Sequence, residues 1–191
     1  MPKIVKDEEI YNAVIQIISE RGYAGATIKQ MADAANVSEM TLFRKYGTKQ
    51  QLVKKAISSI IRKTELASSA QYSGDIEADL LRIVQAYQDS AVKHGGFVAA
   101  IISEVIRYPE LVDSIDEPMK IFSTIGELIA RYQDEGQMIK EYPLHAMAVL
   151  LGPLMYTTMM SRAMSDIQMP PLDLYSHVST FLAGRQPEND T

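Results

Sequence analysis

Thr27-Ile-Lys-Gln30-Met-Ala-Asp-Ala-Ala-Asn36-Val-Ser38-Glu-Met-Thr-Leu-Phe-Arg-Lys-Tyr46-Gly-Thr-Lys-Gln-Gln-Leu52 is the stretch that decides the fold. It reads as two short helices joined by a tight turn. Thr27 and Gln30 form a T-x-x-Q capping box, in which hydroxyl and side-chain amide each satisfy a backbone N–H, so a helix should begin there. Ile28, Met31, Ala32 and Ala35 then recur every three or four residues and make one buried stripe. Asn36 tolerates the left-handed backbone that ends a helix, Val37 plugs the corner, and Ser38 is a strong N-cap for the next helix. In that second helix Thr41, Leu42 and Tyr46 face inward. Glu39, Met40, Phe43, Arg44 and Lys45 are left pointing out, an unusual outer face for a solvated helix but suited to a DNA major groove. Gly47 stops the helix, and Thr48 with Gln51 gives a second capping box at the head of a longer helix carrying Lys49, Lys54 and Lys55.

The pattern resembles the tetracycline-repressor (TetR) family of bacterial regulators. Thr27, Ile28, Met31, Ala32, Ala35, Val37, Ser38, Thr41, Leu42, Lys49 and Leu52 stand at matching places, with Phe43, Tyr46 and Thr48 where the family favours Tyr, Phe and Ser. The match runs from about Asp7 to Lys55. It departs at Asn36, Met40 and Lys45, where the family favours Gly, Gly and His, and Phe43 lacks the Tyr hydroxyl. The resemblance implies that Thr27, Lys29, Phe43 and Lys49 hold the DNA backbone while Glu39, Met40, Arg44 and Lys45 lie near base edges. Ser38 and Thr41 complete the candidate DNA-binding set.

Charge supports a nucleic-acid partner without using the family. Residues 1–63 hold 11 Lys and Arg against 6 Asp and Glu, whereas 64–191 hold 8 against 18, so the net −5 hides a basic N-terminal third. Phosphate contacts release counterions, which makes a local basic patch more telling than net charge. Taken alone, such lysines are an ordinary solvated surface; beside the helix pair they gain weight.

Every other long segment also favours helix, so the expected fold is all-α: an N-terminal three-helix helix-turn-helix DNA-binding domain at 1–50, a helical ligand-binding and dimerisation bundle at 51–185, and a polar tail at 186–191. Asp7 to Arg21 repeats Ile10, Ala13, Val14, Ile17 and Ile18 at helical spacing and ends at Gly22. A helix from Thr48 to about Ser69 should join the domains, with a hinge at 68–74. Further helices are expected near 75–93, 97–107, 117–135, 143–164 and 172–184, with a helical turn after Pro109. Gly95-Gly96, Pro109, Pro118, Gly136, Pro143 and Pro170-Pro171 supply the stops.

The second domain carries weaker signals. Eight Met residues lie from Met119 to Met169, and Met adapts to irregular apolar shapes. Tyr hydroxyls could orient a ligand in such a pocket. The candidate ligand set is therefore Tyr87, Tyr108, Met119, Phe122, Tyr132, Met155, Tyr156 and Met159, although each also fits an ordinary core. The helices near 143–164 and 172–184 are apolar round most of their circumference and need cover on two sides. In the family the last two helices pair across a dimer, which implies Leu150, Leu154, Thr157, Met160, Val178, Phe181 and Leu182 as interface.

Other chemistry finds little support. His94, His145 and His177 fall on separate elements, with no H-E-x-x-H and no Cys, so neither a metal site nor a cofactor is expected. Nucleotide loops and the G-x-S-x-G nucleophile motif are missing, which argues against an enzyme. Tyr142 to Ser161 approaches the length of a membrane span, yet Pro143, His145, Gly152 and Pro153 interrupt it, and a buried or interface helix is the better reading. The absence of Cys fits a reducing cytoplasm, and residues 2–9 do not resemble a signal peptide. The expected partners are a palindromic duplex, a second copy of the chain and a small lipophilic or aromatic effector that relieves repression. The alternative is a DNA-bound architectural or protein-recruiting factor whose bundle is closed and ligand-free.

Overall fold

The computed structural model describes residues 5–105, 107–164 and 170–187, and among these every regular element is helical. In chain order they are α1 (Asp7–Gly25), α2 (Ile28–Ala34), α3 (Glu39–Tyr46), α4 (Lys49–Lys63), α5 (Leu66–Ser69), α6 (Ile76–Val105), a 3-10 helix (Pro109–Ile115), α7 (Asp116–Asp134), α8 (Pro143–Ala163) and α9 (Leu174–Ala183). They form two compact units, one of Met1–Lys63 with His94–Pro118 and the other of Thr64–Lys93 with Met119–Thr191.

In the first unit, α1, α2, α3 and α4 enclose Ile10, Val14, Ile18, Met31, Leu42, Leu52, Val53 and Ala56, all buried. Phe97 and Ile101 from the end of α6, and Leu111 from the 3-10 helix, join the same core. Each large side chain removed from water contributes roughly 1.5–3 kcal/mol. The expected boundary at 50/51 falls inside the first unit. Leu52, Val53, Ala56, Ile57 and Ile60 of α4 face the core shared with α1, so all of α4 belongs to the first unit, which also takes back His94–Pro118.

Two helix boundaries also differ from expectation. The helix that begins after Thr48 ends at Lys63 instead of near Ser69, and a separate short turn, Leu66–Ser69, follows. Arg82 takes the Ser69 carbonyl at 2.9 Å and that of Gln71 as well, which directs the chain out of helix there. Conversely, α6 runs straight through Gly95-Gly96, where a stop was expected. Two interior glycines cost about 2 kcal/mol of helix propensity, but an unbroken helix delivers Phe97 and Ile101 to the core, and their burial outweighs that cost.

The second unit is organised around a buried carboxylate. Asp79, fully buried near the start of α6, accepts from the Ser73 backbone N–H (2.8 Å), the Ser73 hydroxyl (2.6 Å), Arg82 (2.8 Å) and the Tyr132 hydroxyl (2.5 Å). Burial pushes its pKa up, but the bonds from Ser73, Tyr132 and Arg82 prevail and hold it below the ordinary carboxylate value. This cluster ties α6, α7 and the 70–75 connection together. Leu80, Ile83, Ile125, Ile129, Leu150, Val178 and Phe181 fill the unit's apolar interior. His177 Nε2 donates to the Leu150 carbonyl at 2.7 Å and fixes α9 on α8. Of the polar tail expected at 186–191, residues 188–191 lie outside the described residues, as does Met169 of the methionine series.

Candidate nucleic-acid interface

Local chemistry builds the reading pair as its sequence dictates. Thr27 Oγ1 accepts from the Gln30 N–H (3.2 Å), and Gln30 Oε1 accepts from the Thr27 N–H (2.9 Å), closing the capping box of α2. Asn36 takes φ 54°, the left-handed backbone anticipated for the turn. Ser38 Oγ accepts from the Thr41 N–H at 3.1 Å and caps α3. Gly47, at φ 77°, ends it. Thr48 Oγ1 accepts from the Gln51 N–H at 3.1 Å, while its own N–H donates to the Tyr46 carbonyl rather than to Gln51, so α4 begins on half of the expected box.

Leu42 anchors α3 in the core, and Thr41 and Tyr46 are half-buried on the same side. The opposite side is exposed along Glu39, Met40, Phe43, Arg44 and Lys45. Met40 is 75% exposed and Phe43 51%, which for a short helix leaves two large apolar side chains in water without cover. Met40 and Arg44 are four residues apart, and Met40 and Phe43 three, so they form one ridge. Thr27 and Lys29 at the start of α2, and Ser38 before α3, are exposed as well.

Two lysines of the candidate set do not simply point outward. Lys49 is half-buried; its ammonium donates to the Tyr23 carbonyl and lies 4.1 Å from the Tyr23 ring centroid. Burial pulls its pKa below the usual lysine value, and Glu104 nearby opposes that shift. Lys49 therefore braces the end of α1 in the DNA-free chain. Lys45 is exposed but bound by Asp7, whose Oδ1 also accepts from the Tyr46 hydroxyl at 3.0 Å. Sequence reading missed both Asp7 and Tyr23. Asp7 lies 38 residues from Lys45, and the acid run Asp7-Glu8-Glu9 opposite a basic helix was the one available signal.

The candidate ligand residues are not brought together. Tyr108 belongs to the first unit, edge-on to Tyr23 at 5.6 Å, and Tyr132 is buried and committed to Asp79. Tyr87 and Phe122 are half-buried, whereas Met119, Met155, Tyr156 and Met159 are exposed. A cleft of about 280 Å³ in the second unit is lined instead by Gln88, Ala91, Val92, Leu154, Thr157, Thr158, Ser161 and Pro170–Leu172. Among the described residues no group of His, Asp and Glu is arranged to hold a metal ion.

The residues of the expected dimer set are placed as follows. Leu150, Leu154, Val178 and Phe181 are buried within the single chain and are spent on its own core; Thr157, Met160 and Leu182 are half-buried. The uncovered side of α8 is the other one: Leu144, His145, Ala148, Val149, Met155, Tyr156 and Met159 are exposed at helical spacing. Pro143–Ser161 is the one described helix long and apolar enough to cross a membrane, and only 22% of its window is buried in the chain. On α9, Tyr175, Ser176, Ser179, Thr180 and Ala183 are exposed.

Comparison with known proteins agrees with this architecture. Residues 10–56 match the family described as bacterial regulatory proteins, tetR family. The HTH-type transcriptional regulator YvkB of Bacillus subtilis is 28% identical over 118 residues, covering 58% of this chain and 58% of that protein, so the chain spans little more than half of this relative's length. Among solved structures, the TetR family transcriptional regulator PfmR from Thermus thermophilus superposes with a TM-score of 0.73 at 14% identity, over 93% of this chain and 95% of that one. The fatty acid degradation regulator FadR from Bacillus halodurans does so with a TM-score of 0.69 at 21% identity, over 93% and 96%. At such identities the likeness is one of fold.

Proposed function

We propose, from the match of residues 10–56 to the tetR family of bacterial regulatory proteins, that this chain is a homodimeric, sequence-specific DNA-binding regulator of transcription acting in the bacterial cytoplasm. The observation that carries the reading is the outer side of α3, where Met40, Phe43 and Arg44 stand exposed on a helix capped at both ends and anchored by Leu42. A helix so held can present side chains to base edges without first ordering itself, and its apolar ridge suits thymine methyl groups while Arg44 suits guanine. Selection of bound fragments from random duplexes tests this, and an enriched sequence is the expected result.

Dimerisation is proposed through the uncharged outer side of α8, centred on Val149, Met155, Tyr156 and Met159, with exposed small residues of α9 beside it. Contiguous apolar surface of this kind marks an interaction site. One short helix reads few base pairs, and two related by a two-fold axis read a palindrome.

The finer proposal is a repressor released by a small molecule. An effector that binds the second unit more tightly when the protein is off its operator lowers operator affinity by that difference. The cleft between Gln88, Ala91, Leu154 and Thr158, at about 280 Å³, lies just below the ~300–1,000 Å³ of ligand pockets and is where a small effector would be sought. The same modest size favours a second reading, an architectural factor with a closed bundle. A ligand that binds the native state raises the melting temperature. A thermal-shift screen with small apolar and aromatic compounds therefore separates the two: one stabilising compound that also weakens operator binding supports the effector, and a flat response supports the closed bundle.

A further inference from the structure

We propose that Asp7 is a built-in competitor of DNA: it holds the ammonium of Lys45 on the reading helix, and phosphate must displace it. The inference rests on α3 being the DNA-reading helix. Asp7 opens α1 and Lys45 lies in the last turn of α3, so two helices separated in sequence meet through one ion pair. The carboxylate is not brought there by Lys45 alone. Its Oδ1 also accepts from the Tyr46 hydroxyl at 3.0 Å, and the Tyr46 ring is set against Tyr11, with centroids 6.0 Å apart. Asp7 thus has a second partner whose ring is packed on another, and its place does not depend on the lysine.

Both ends of the pair sit where helix dipoles favour them, the anion in the first turn of α1 and the cation in the last turn of α3. Both are also accessible, the side chains of Lys45 and Asp7 being 41% and 49% exposed. An ion pair this open is weak and exchangeable. That is the property a competitor needs: it occupies Lys45 in free protein and yields to a phosphate. Exchanging one anion for another returns no net gain in ion pairs, so Lys45 adds less to DNA affinity than an uncommitted lysine would. Phe43 and Arg44 beside it carry no such restraint among the described contacts and retain their full share. The arrangement trims the non-specific electrostatic part of binding while leaving base contacts untouched.

The test is fluorescence anisotropy on the full-length protein, titrated against a selected operator duplex and a random duplex at several salt concentrations. Asp7→Asn should tighten both duplexes about threefold to tenfold at low salt and steepen the salt dependence by up to roughly 0.9, since no vacated carboxylate then takes up a cation against the counterions that the phosphates release. Glu9→Gln removes the same charge from the same exposed turn and should do less. The gain should vanish in the double variant Asp7→Asn with Lys45→Ala. Should the Asn variant melt lower than the parent, Asp7→Ser, equally suited to a helix start, replaces it. A gain that survives loss of Lys45, one matched by Glu9→Gln, or a loss of affinity, overturns the proposal. Failure of the parent protein to prefer any selected duplex is a different result, and it removes the DNA-reading role of α3 together with the competitor.

Discussion

The outer side of α3 and the outer side of α8 are both apolar surfaces that a single chain leaves in water, and they differ in their frame. On α3, Met40 and Phe43 stand beside Arg44 and Lys45. On α8, Val149, Met155, Tyr156 and Met159 stand in a window, Pro143–Ser161, that contains no Asp, Glu, Lys or Arg. A polyanion is attracted to the first and gains nothing electrostatic from the second. Conversely, two copies of the second surface can meet without burying a charge, whereas two copies of the first would oppose like charges. Exposed apolar side chains on the two helices therefore point to different partners, and the neighbouring charges decide which.

The network that organises the second unit, which carries the α8 surface, can be broken first. Asp79→Ala leaves Tyr132, Arg82 and Ser73 without their shared acceptor and should cost about 3–5 kcal/mol of stability, as expected when one partner of a buried charged network is removed. Chemical denaturation measures it. The network also sets an acid limit. Because the folded pKa of Asp79 lies below the unfolded one, its contribution is complete above the ordinary carboxylate range and is lost as pH falls through the depressed folded value. Asp79→Asn should flatten that acid limb.

Next in size is the α8 surface itself. Met155→Asp places an uncompensated charge at the centre of the proposed interface and should raise the dimer dissociation constant ~100-fold, equivalent to about 3 kcal/mol, with helicity unchanged because Met155 is exposed in the chain. Sedimentation equilibrium reads the change. A dimer indifferent to this substitution would place the interface elsewhere.

On α3 the effects are smaller and sequence-dependent. Arg44→Ala should cost roughly 1–3 kcal/mol on the selected duplex and little on random DNA if it pairs with a base; equal losses on both would make it a phosphate contact. Lys49→Ala should lower stability by about 1–2 kcal/mol through loss of its charged bond to the Tyr23 carbonyl, with the salt slope unchanged. A slope reduced by about one would mean that Lys49 leaves Tyr23 for a phosphate.

The reading pair was legible in the sequence because its determinants are local. Capping by Thr27 and Ser38, the left-handed Asn36 and the stop at Gly47 each act within four residues. The failures were all decided at a distance. Arg82 fixes where the short helix after Lys63 ends, and burial of Phe97 and Ile101 carries α6 through two glycines. For α8 the sequence offered apolar residues on every side. Which side turned inward was settled by packing against α9, including the bond from His177 to the Leu150 carbonyl, and so Leu150 and Leu154 went to the core while Met155 and Tyr156 did not. The restraint of Lys45 by Asp7 belongs to the same class.

The outer side of α3 is proposed to read DNA twice per particle. Fragments selected from random duplexes by the purified protein, then footprinted, test it directly. The expected result is an enriched inverted repeat whose half-sites lie about one helical turn apart, ~34–36 Å, or a multiple of it, with enrichment lost in Arg44→Ala. No enriched sequence, or a lone half-site bound by a monomer, would contradict it.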